Sequence, residues 1–204
     1  MTLTAVMMNP DGFTEGQGEI ARVRRGDSST LGSVIARYQH RLYRYLLRLS
    51  RDRTTAEDLF QQTWVRVMEK IGRYDPAKNF DVWLFTVAHN IAMDHFRGKQ
   101  MESLDEPSEM GVTQGDRLAA NDQDALGRLL DCERGAMLAD CLQRLPAIHR
   151  EVLILRFEED MKLEEIAEVV TIPLSTVKSR LSRALEGLRR SVLTRMAEDN
   201  HERA

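Results

Sequence analysis

Residues 176–190, TVKSRLSRALEGLRR, set lysine, arginine and serine side chains at short intervals. At about 100° per residue on a helix, Val177, Leu181, Ala184, Leu185 and Leu188 gather on one side. Ser179, Ser182, Arg183, Glu186 and Arg190 face the other way, with Lys178 and Arg180 at the boundary. Such a helix packs through its apolar stripe and offers donors on the far face. Lysine and arginine can donate to guanine O6 and N7, and hydroxyls reach base edges or phosphate. The helix N-terminus adds partial positive charge, which also favours phosphate. The chemistry on offer is recognition of a polyanion.

Those side chains need a scaffold. Just upstream, Ile166, Ala167 and Val170 give EEIAEVV a matching apolar face. Two short helices with a connection of about four residues, the second amphipathic and basic, make a helix-turn-helix. Its second helix fits the DNA major groove, N-terminal end first. Pro173 suits a first-turn position, which needs no donor. Thr171 stands where glycine often permits the turn, and a β-branched residue disfavours positive φ. Lys162 sits where a serine or threonine cap is expected. A packing unit with a solvated charged face would show the same periodicity.

Further upstream, residues 31–50 place Leu31, Val34, Ile35, Tyr38, Leu42, Tyr45, Leu46 and Leu49 at helical spacing. A second helix follows, with Thr54 and Glu57 as a capping box. Leu59, Val65, Val67 and Met68 form its apolar stripe, and Gly72 ends it. RYDPAKN is a loop turning at Asp75-Pro76. FDVWLFTVAHNIAMDHFRG is a third helix, beginning at Asn79 or the loop before it and stopping at Gly98. Phe80 staples its start, and Trp83, Leu84, Phe85 and Val87 are core residues.

Residues 101–135 lose the pattern and read as a flexible linker, with a helical turn near DALGRLL. A second helical module begins near Arg134. GAMLADCLQRL is broken by Pro146, AIHREVLILRF resumes, and acids at 158–160 mark a turn. KLEEIAEVV is a short helix, and the last helix starts at residue 174 and ends near 195. The expected fold class is all-α. Two small helical domains, residues 18–100 and 134–192, are joined by a flexible acidic linker at 101–133. A flexible N-terminus (1–17) and a frayed polar tail (193–204) flank them.

The formal net charge of −3 hides an asymmetry. Residues 1–30 carry −1, residues 31–100 carry +5, residues 101–135 carry −6, residues 136–195 carry +1 and the tail −2. No run of about 18 apolar residues is present, so no membrane insertion is expected. MTLTAVMMNPDG lacks a charged start and a long apolar stretch, unlike a secretory signal. Cys132 and Cys141 form no CxxC pair, which suits a reduced cytoplasmic state. They make no zinc pattern with His149 either, since the spacing is wrong and a fourth ligand is missing. There is no GxxxxGK[ST] and no HExxH. The expectation is therefore no enzyme, no cofactor and no small-molecule substrate.

AEDLFQQTWVRV, followed by RYDPAKNFDVWLFTVAHNIAMDHFRGK, resembles region 2 of a bacterial sigma factor. LQRLPAIHREVLILRFEEDMKLEEIAEVVTIPLSTVKSRLSRALEGLR resembles its region 4. Both in this order, joined by an acidic linker with nothing large between, resemble the extracytoplasmic-function (ECF) type of the sigma-70 family. The resemblance implies a non-catalytic promoter-specificity subunit whose partners are core RNA polymerase, promoter DNA and an anti-sigma factor. It implies core docking through Asp58, Gln61 and Gln62, the last in place of the family's usual Glu. It implies that Arg73, Tyr74, Lys78 and Asn79 of the loop, with His89, Asn90, Met93 and Arg97 of the following helix, meet the minus-10 element. For the minus-35 element the matching positions are Lys178, Ser179, Arg180, Ser182 and Arg183. The alternative is a repressor or response-regulator output domain that binds DNA without polymerase. It shares the helix-turn-helix but has no need of NFDVWLFTVAHN.

Overall fold

A computed structural model describes residues 18–102 and 135–202, all of whose regular elements are helical. The expected N-terminal segment, nearly all of the linker and the turn near DALGRLL lie outside these residues. The first module comprises α1 (18–24), α2 (Ser28–Ser50), α3 (Arg53–Lys70) and α4 (Phe80–Glu102). The second comprises α5 (135–143), α6 (Ala147–Leu153), α7 (Leu163–Val169) and α8 (Leu174–Glu202). A π-helical turn, Ile154–Glu158, extends α6.

The stripe on α2 does what its spacing predicts. Val34, Tyr38, Leu42, Tyr45, Leu46 and Leu49 are buried against α3 and α4. Asp27 caps α2, accepting from Ser29 N and from the hydroxyls of Ser29 and Thr30. These bonds, led by that of Ser29, hold its carboxyl down at about 2. Phe80, Val82, Leu84, Phe85, Val87 and Ala88 of α4 complete the core. Phe80 meets Tyr38, Tyr74 and Trp83 at ring separations of 5.2, 5.4 and 5.5 Å, which fixes the start of α4.

Several local expectations are corrected. Asp52, not Thr54, is the N-cap of α3, because its carboxylate reaches Thr55 N at 2.7 Å. Glu57 pairs instead with Arg53 on the exposed face. Leu59 and Val67 are buried, but Val65 and Met68 are about half exposed, at 51% and 48%. α3 ends at Lys70, and a 3₁₀ turn carries Gly72. α4 runs through Gly98 to Glu102, since an isolated glycine weakens a helix without ending it. α8 continues to Glu202, through most of the tail expected to fray.

In the second module α6 and α7 both pack on α8. Val152, Leu155, Ile166, Val169, Val177 and Ala184 are buried there. The two modules also meet each other, α7 lying on α4 and α6 on α2.

Candidate nucleic-acid and polymerase interface

The helix-turn-helix closes through a strained turn. Thr171 adopts φ +52°, the left-handed conformation its β-branch opposes. Thr171 N donates to Glu168 O, and Ile172 N to Ala167 O, so the last carbonyls of α7 are satisfied. At the other end of α7, Lys162 has no side-chain acceptor to offer. Glu165 compensates by reaching back to Lys162 N at 2.8 Å. Pro173 immediately precedes α8, one position before the first turn where it was expected, and its carbonyl accepts from Thr176 N and Val177 N.

On α8 the two faces separate nearly as expected. Val177 and Ala184 are buried, and Leu181 and Leu188 pack against the core. Leu185 departs from the stripe, at 43% exposure. Gly187 allows α8 to approach the turn before α6, for a β-carbon there would meet Leu145 Cδ2 at 3.0 Å. Lys178, Ser179, Ser182 and Arg183 are exposed, and Arg180 is half-buried. Among the described residues none of Lys178, Arg180 and Arg183 forms an ion pair. Ser179 Oγ donates back to Thr176 O at 2.9 Å, and the residue is exposed. The N-terminal turns of α8 thus offer exposed hydroxyls and cations that form no ion pair among the described residues.

On α3, Asp58, Gln61 and Gln62 are all exposed. Gln61 and Gln62 border a shallow groove with Val65, Arg66, Glu69 and Ile91. The exposure of Val65 places an apolar spot inside a polar rim, the usual composition of a docking patch.

The loop and α4 divide the minus-10 candidates. Arg73 and Lys78 are exposed, Asn90 and Arg97 face solvent, and Met93 lies between them, half-buried. Among the described residues, Arg97 pairs with Asp94 at 3.5 Å, both side chains exposed. Tyr74 departs from the expected outward position. Its ring is buried against Phe80 and Trp83, and its hydroxyl donates to Lys78 O, so it braces the loop. Burial also raises its phenol above the ordinary range. His89 departs too, buried with Nδ1 2.6 Å from Glu151 Oε1. Asn79 caps α4 through Asp81 N at 2.9 Å, while its Nδ2 donates to Glu165 Oε1 of α7 at 3.1 Å.

His89 and Asn79 belong to a junction that sequence reasoning did not foresee. Tyr45 Oη donates to Glu151 Oε1 at 2.6 Å, beside His89. A carboxylate only accepts, so the imidazole proton on this side sits on Nδ1. Arg150, also buried, donates to Leu49 O of α2 and to Gln143 O and Leu145 O of its own module. Burial, with Arg51 nearby, lowers its pKa to about 10. Arg41, Arg44 and Arg48 lie along one stripe of α2. Arg41 meets Glu159 at 2.8 Å, and Arg44 and Arg48 meet Glu158 at 3.2 and 2.7 Å. The i, i+3, i+7 spacing of these arginines was the available signal; the acids at 158–160 suggested only a turn.

Comparison with known proteins identifies both modules. The Sigma-70 region 2 model matches residues 34–101, and the Sigma-70, region 4 model matches residues 141–190. ECF RNA polymerase sigma factor SigW of Bacillus subtilis strain 168 is 26% identical over 176 residues, spanning 85% of this chain and 94% of the relative. RNA polymerase sigma factor CarQ of Myxococcus xanthus is 31% identical over 168 residues, spanning 82% and 92%. The sigma factor RpoE of Bartonella quintana, solved with the anti-sigma factor NepR, has the same fold. Its TM-score is 0.66 at 23% identity, covering 79% of this chain and 96% of that one. With both regions present in order, the chain belongs to the sigma-70 family of RNA polymerase sigma factors, of the extracytoplasmic-function type.

Proposed function

We propose that this sigma factor divides its work among three exposed surfaces. Asp58, Gln61 and Gln62 of α3 dock on core RNA polymerase, where a carboxylate and two amides suit a polar rim. Gln62 carries no charge, so this docking relies on Asp58 for attraction to a cationic partner. Arg73, Lys78, Asn79, Asn90, Met93 and Arg97 hold the opened minus-10 strand. There Asn pairs with a base edge, and the cations neutralise phosphates. Lys178, Ser179, Arg180, Ser182 and Arg183 read the minus-35 duplex from the major groove. Tyr74 supports the loop from behind rather than stacking on a base.

The observation that carries this reading is the row of unpaired donors on α8, held on the same chain as the exposed α3 patch. The second module is near neutral overall, so its solo affinity for DNA is low, because affinity rests on phosphate neutralisation. That is the behaviour of a subunit whose grip is completed by polymerase, and not of a self-sufficient repressor. The protein acts in the cytoplasm as a non-catalytic subunit. An anti-sigma factor restrains it, as the NepR complex suggests for its structural neighbour.

Run-off transcription with purified core enzyme on a randomised promoter library tests the reading. Enrichment of two elements at a fixed separation supports it. Tight binding to a palindromic duplex by the protein alone, without core-dependent transcript, rejects it.

A further inference from the structure

Helix α1 lies before residue 34, where the region 2 match begins, and so falls outside that match. Its sequence RVRR sets Arg22, Arg24 and Arg25 within four positions. Ile20 is buried and ties α1 to the core of the first module. Glu19 pairs with Arg37 of α2 at 3.0 Å, and Arg22 pairs with Asp27 at 2.8 Å. The helix ends in a Schellman motif: Asp27 N donates to Arg22 O, Gly26 N donates to Val23 O, and Gly26 holds φ +92°. A residue with a β-carbon is strained at that φ, so the glycine fixes where α1 stops. Arg24, in the last turn, is therefore presented from a firmly held base.

That base borders the minus-10 loop. Ile20, Ala21 and Arg24 line a small cleft with Tyr74 and Pro76. Tyr74 is the residue whose hydroxyl braces the loop at Lys78 O. Arg24 is exposed, and among the described residues its side chain forms no ion pair or hydrogen bond. The acids nearest in the chain and in the loop are engaged elsewhere: Glu19 with Arg37, Asp27 with Arg22, and Asp75 with Ala77 N. Arg73 and Lys78 add two exposed cations on the loop itself. Arg97 stands toward the far end of α4, about 26 Å from Phe80 along the axis at about 1.5 Å per residue. Arg24 thus adds a cation at the opposite end, where the loop meets α1. A guanidinium with no acid of its own, beside a strand-binding loop, suits phosphate, to which it can donate through two parallel N–H groups. A cation in the last turn also favours the helix dipole, but that effect changes stability and not the salt dependence of DNA binding.

We propose that Arg24 of α1 is a phosphate-binding residue for the opened promoter strand, neutralising the backbone where it leaves the minus-10 loop on the side away from Arg97. The site extends the DNA track of this sigma factor onto a helix that precedes the region 2 match. Its ligand is the backbone of single-stranded DNA, held through charge and not through bases, so it adds affinity without sequence preference. The proposal rests on the minus-10 reading above.

Binding of forked minus-10 DNA by the holoenzyme, titrated across salt concentrations, tests it. Arg24→Ala should weaken binding several-fold at low salt. It should also flatten the slope of log affinity against log salt by about 0.7, the contribution of one phosphate on a single strand. Arg24→Lys keeps the charge and should retain the wild-type slope; circular dichroism checks that both variants keep their helix content. Replacing single phosphates by uncharged methylphosphonates should locate the contact. One position at the loop end of the element should weaken binding by the wild type and have no effect on Arg24→Ala. An unchanged slope in Arg24→Ala overturns the proposal. So does an Arg24→Lys variant as weak as Arg24→Ala, or a pattern of methylphosphonate effects that is the same in wild type and Arg24→Ala. Arg97→Ala reports on the minus-10 reading itself. If it too keeps the wild-type slope, that reading falls and the proposal with it. A flattened Arg97→Ala slope beside an unchanged Arg24→Ala slope removes the α1 site alone.

Discussion

The hydroxyl of Tyr45 donates to the carboxylate of Glu151 at 2.6 Å, joining two positions 106 residues apart in the chain. Both side chains are fully buried, and His89 lies against the same oxygen. A buried carboxylate is tolerable only when its lone pairs are satisfied, so this contact couples the order of α2, α4 and α6.

Tyr45→Phe keeps the ring edge-on to Phe85 at a centroid distance of 5.1 Å and deletes only the donor. Glu151 is then left with His89 as its sole partner of the two. Stability should fall by about 1–3 kcal/mol, the usual penalty for an orphaned buried acceptor. Urea unfolding of both proteins measures it. No change would mean that the two modules already stand apart in solution.

Thr171→Gly should act in the opposite direction. The threonine is exposed and holds φ +52°, where a β-branched side chain is strained and glycine is not. Relief of that strain should raise stability by about 1 kcal/mol. Thermal unfolding checks the gain.

Glu159 supplies a pH dependence. Burial raises its carboxyl above the ordinary 4.5, against the opposing pull of Arg41 and Arg44. Between 4.5 and the raised value, the folded chain binds a proton that the unfolded chain has released. Its contribution is therefore full below 4.5 and is lost as pH rises through the folded value. Glu159→Gln cannot titrate, so urea midpoints followed upward from pH 4.5 should fall less steeply in the variant.

Arg183→Ala removes a cation that faces outward with no ion pair among the described residues. If it donates to a base, the loss should be about 1–3 kcal/mol for the cognate promoter with relaxed preference at one position. Arg180→Ala, at the edge of that face, offers the contrast of a phosphate contact, with weaker binding to all sequences alike and a shallower salt dependence. Competition binding by the holoenzyme at several salt concentrations separates the two.

The apolar periodicity of α2, the loop at Asp75-Pro76, the Asn79 start of α4 and the two-faced character of α8 were all legible in the sequence. Each depends on residues within a turn or two of one another, where spacing alone fixes which side is dry. The exposed placement of Asp58, Gln61, Lys178 and Arg183 followed from the same local rule. Helix ends were less legible. Asp52 and Thr54 both had cap chemistry, and only the path of the chain chose Asp52. Gly98 and the tail did not stop their helices, since neither residue type forbids helix. Val65 and Met68 have apolar side chains whose burial depended on a neighbour that none of the described residues supplies. Least legible were Tyr74 and His89, each polar enough to serve a ligand and each drawn inward. Their positions depend on Phe80 and Trp83 in one case and on Glu151 in the other. A partner 62 residues away leaves no mark in local spacing. The sequence by itself determined which helices form and which faces they bury; only the tertiary structure decided which charges meet across the modules, because that pairing depends on distances no periodicity encodes.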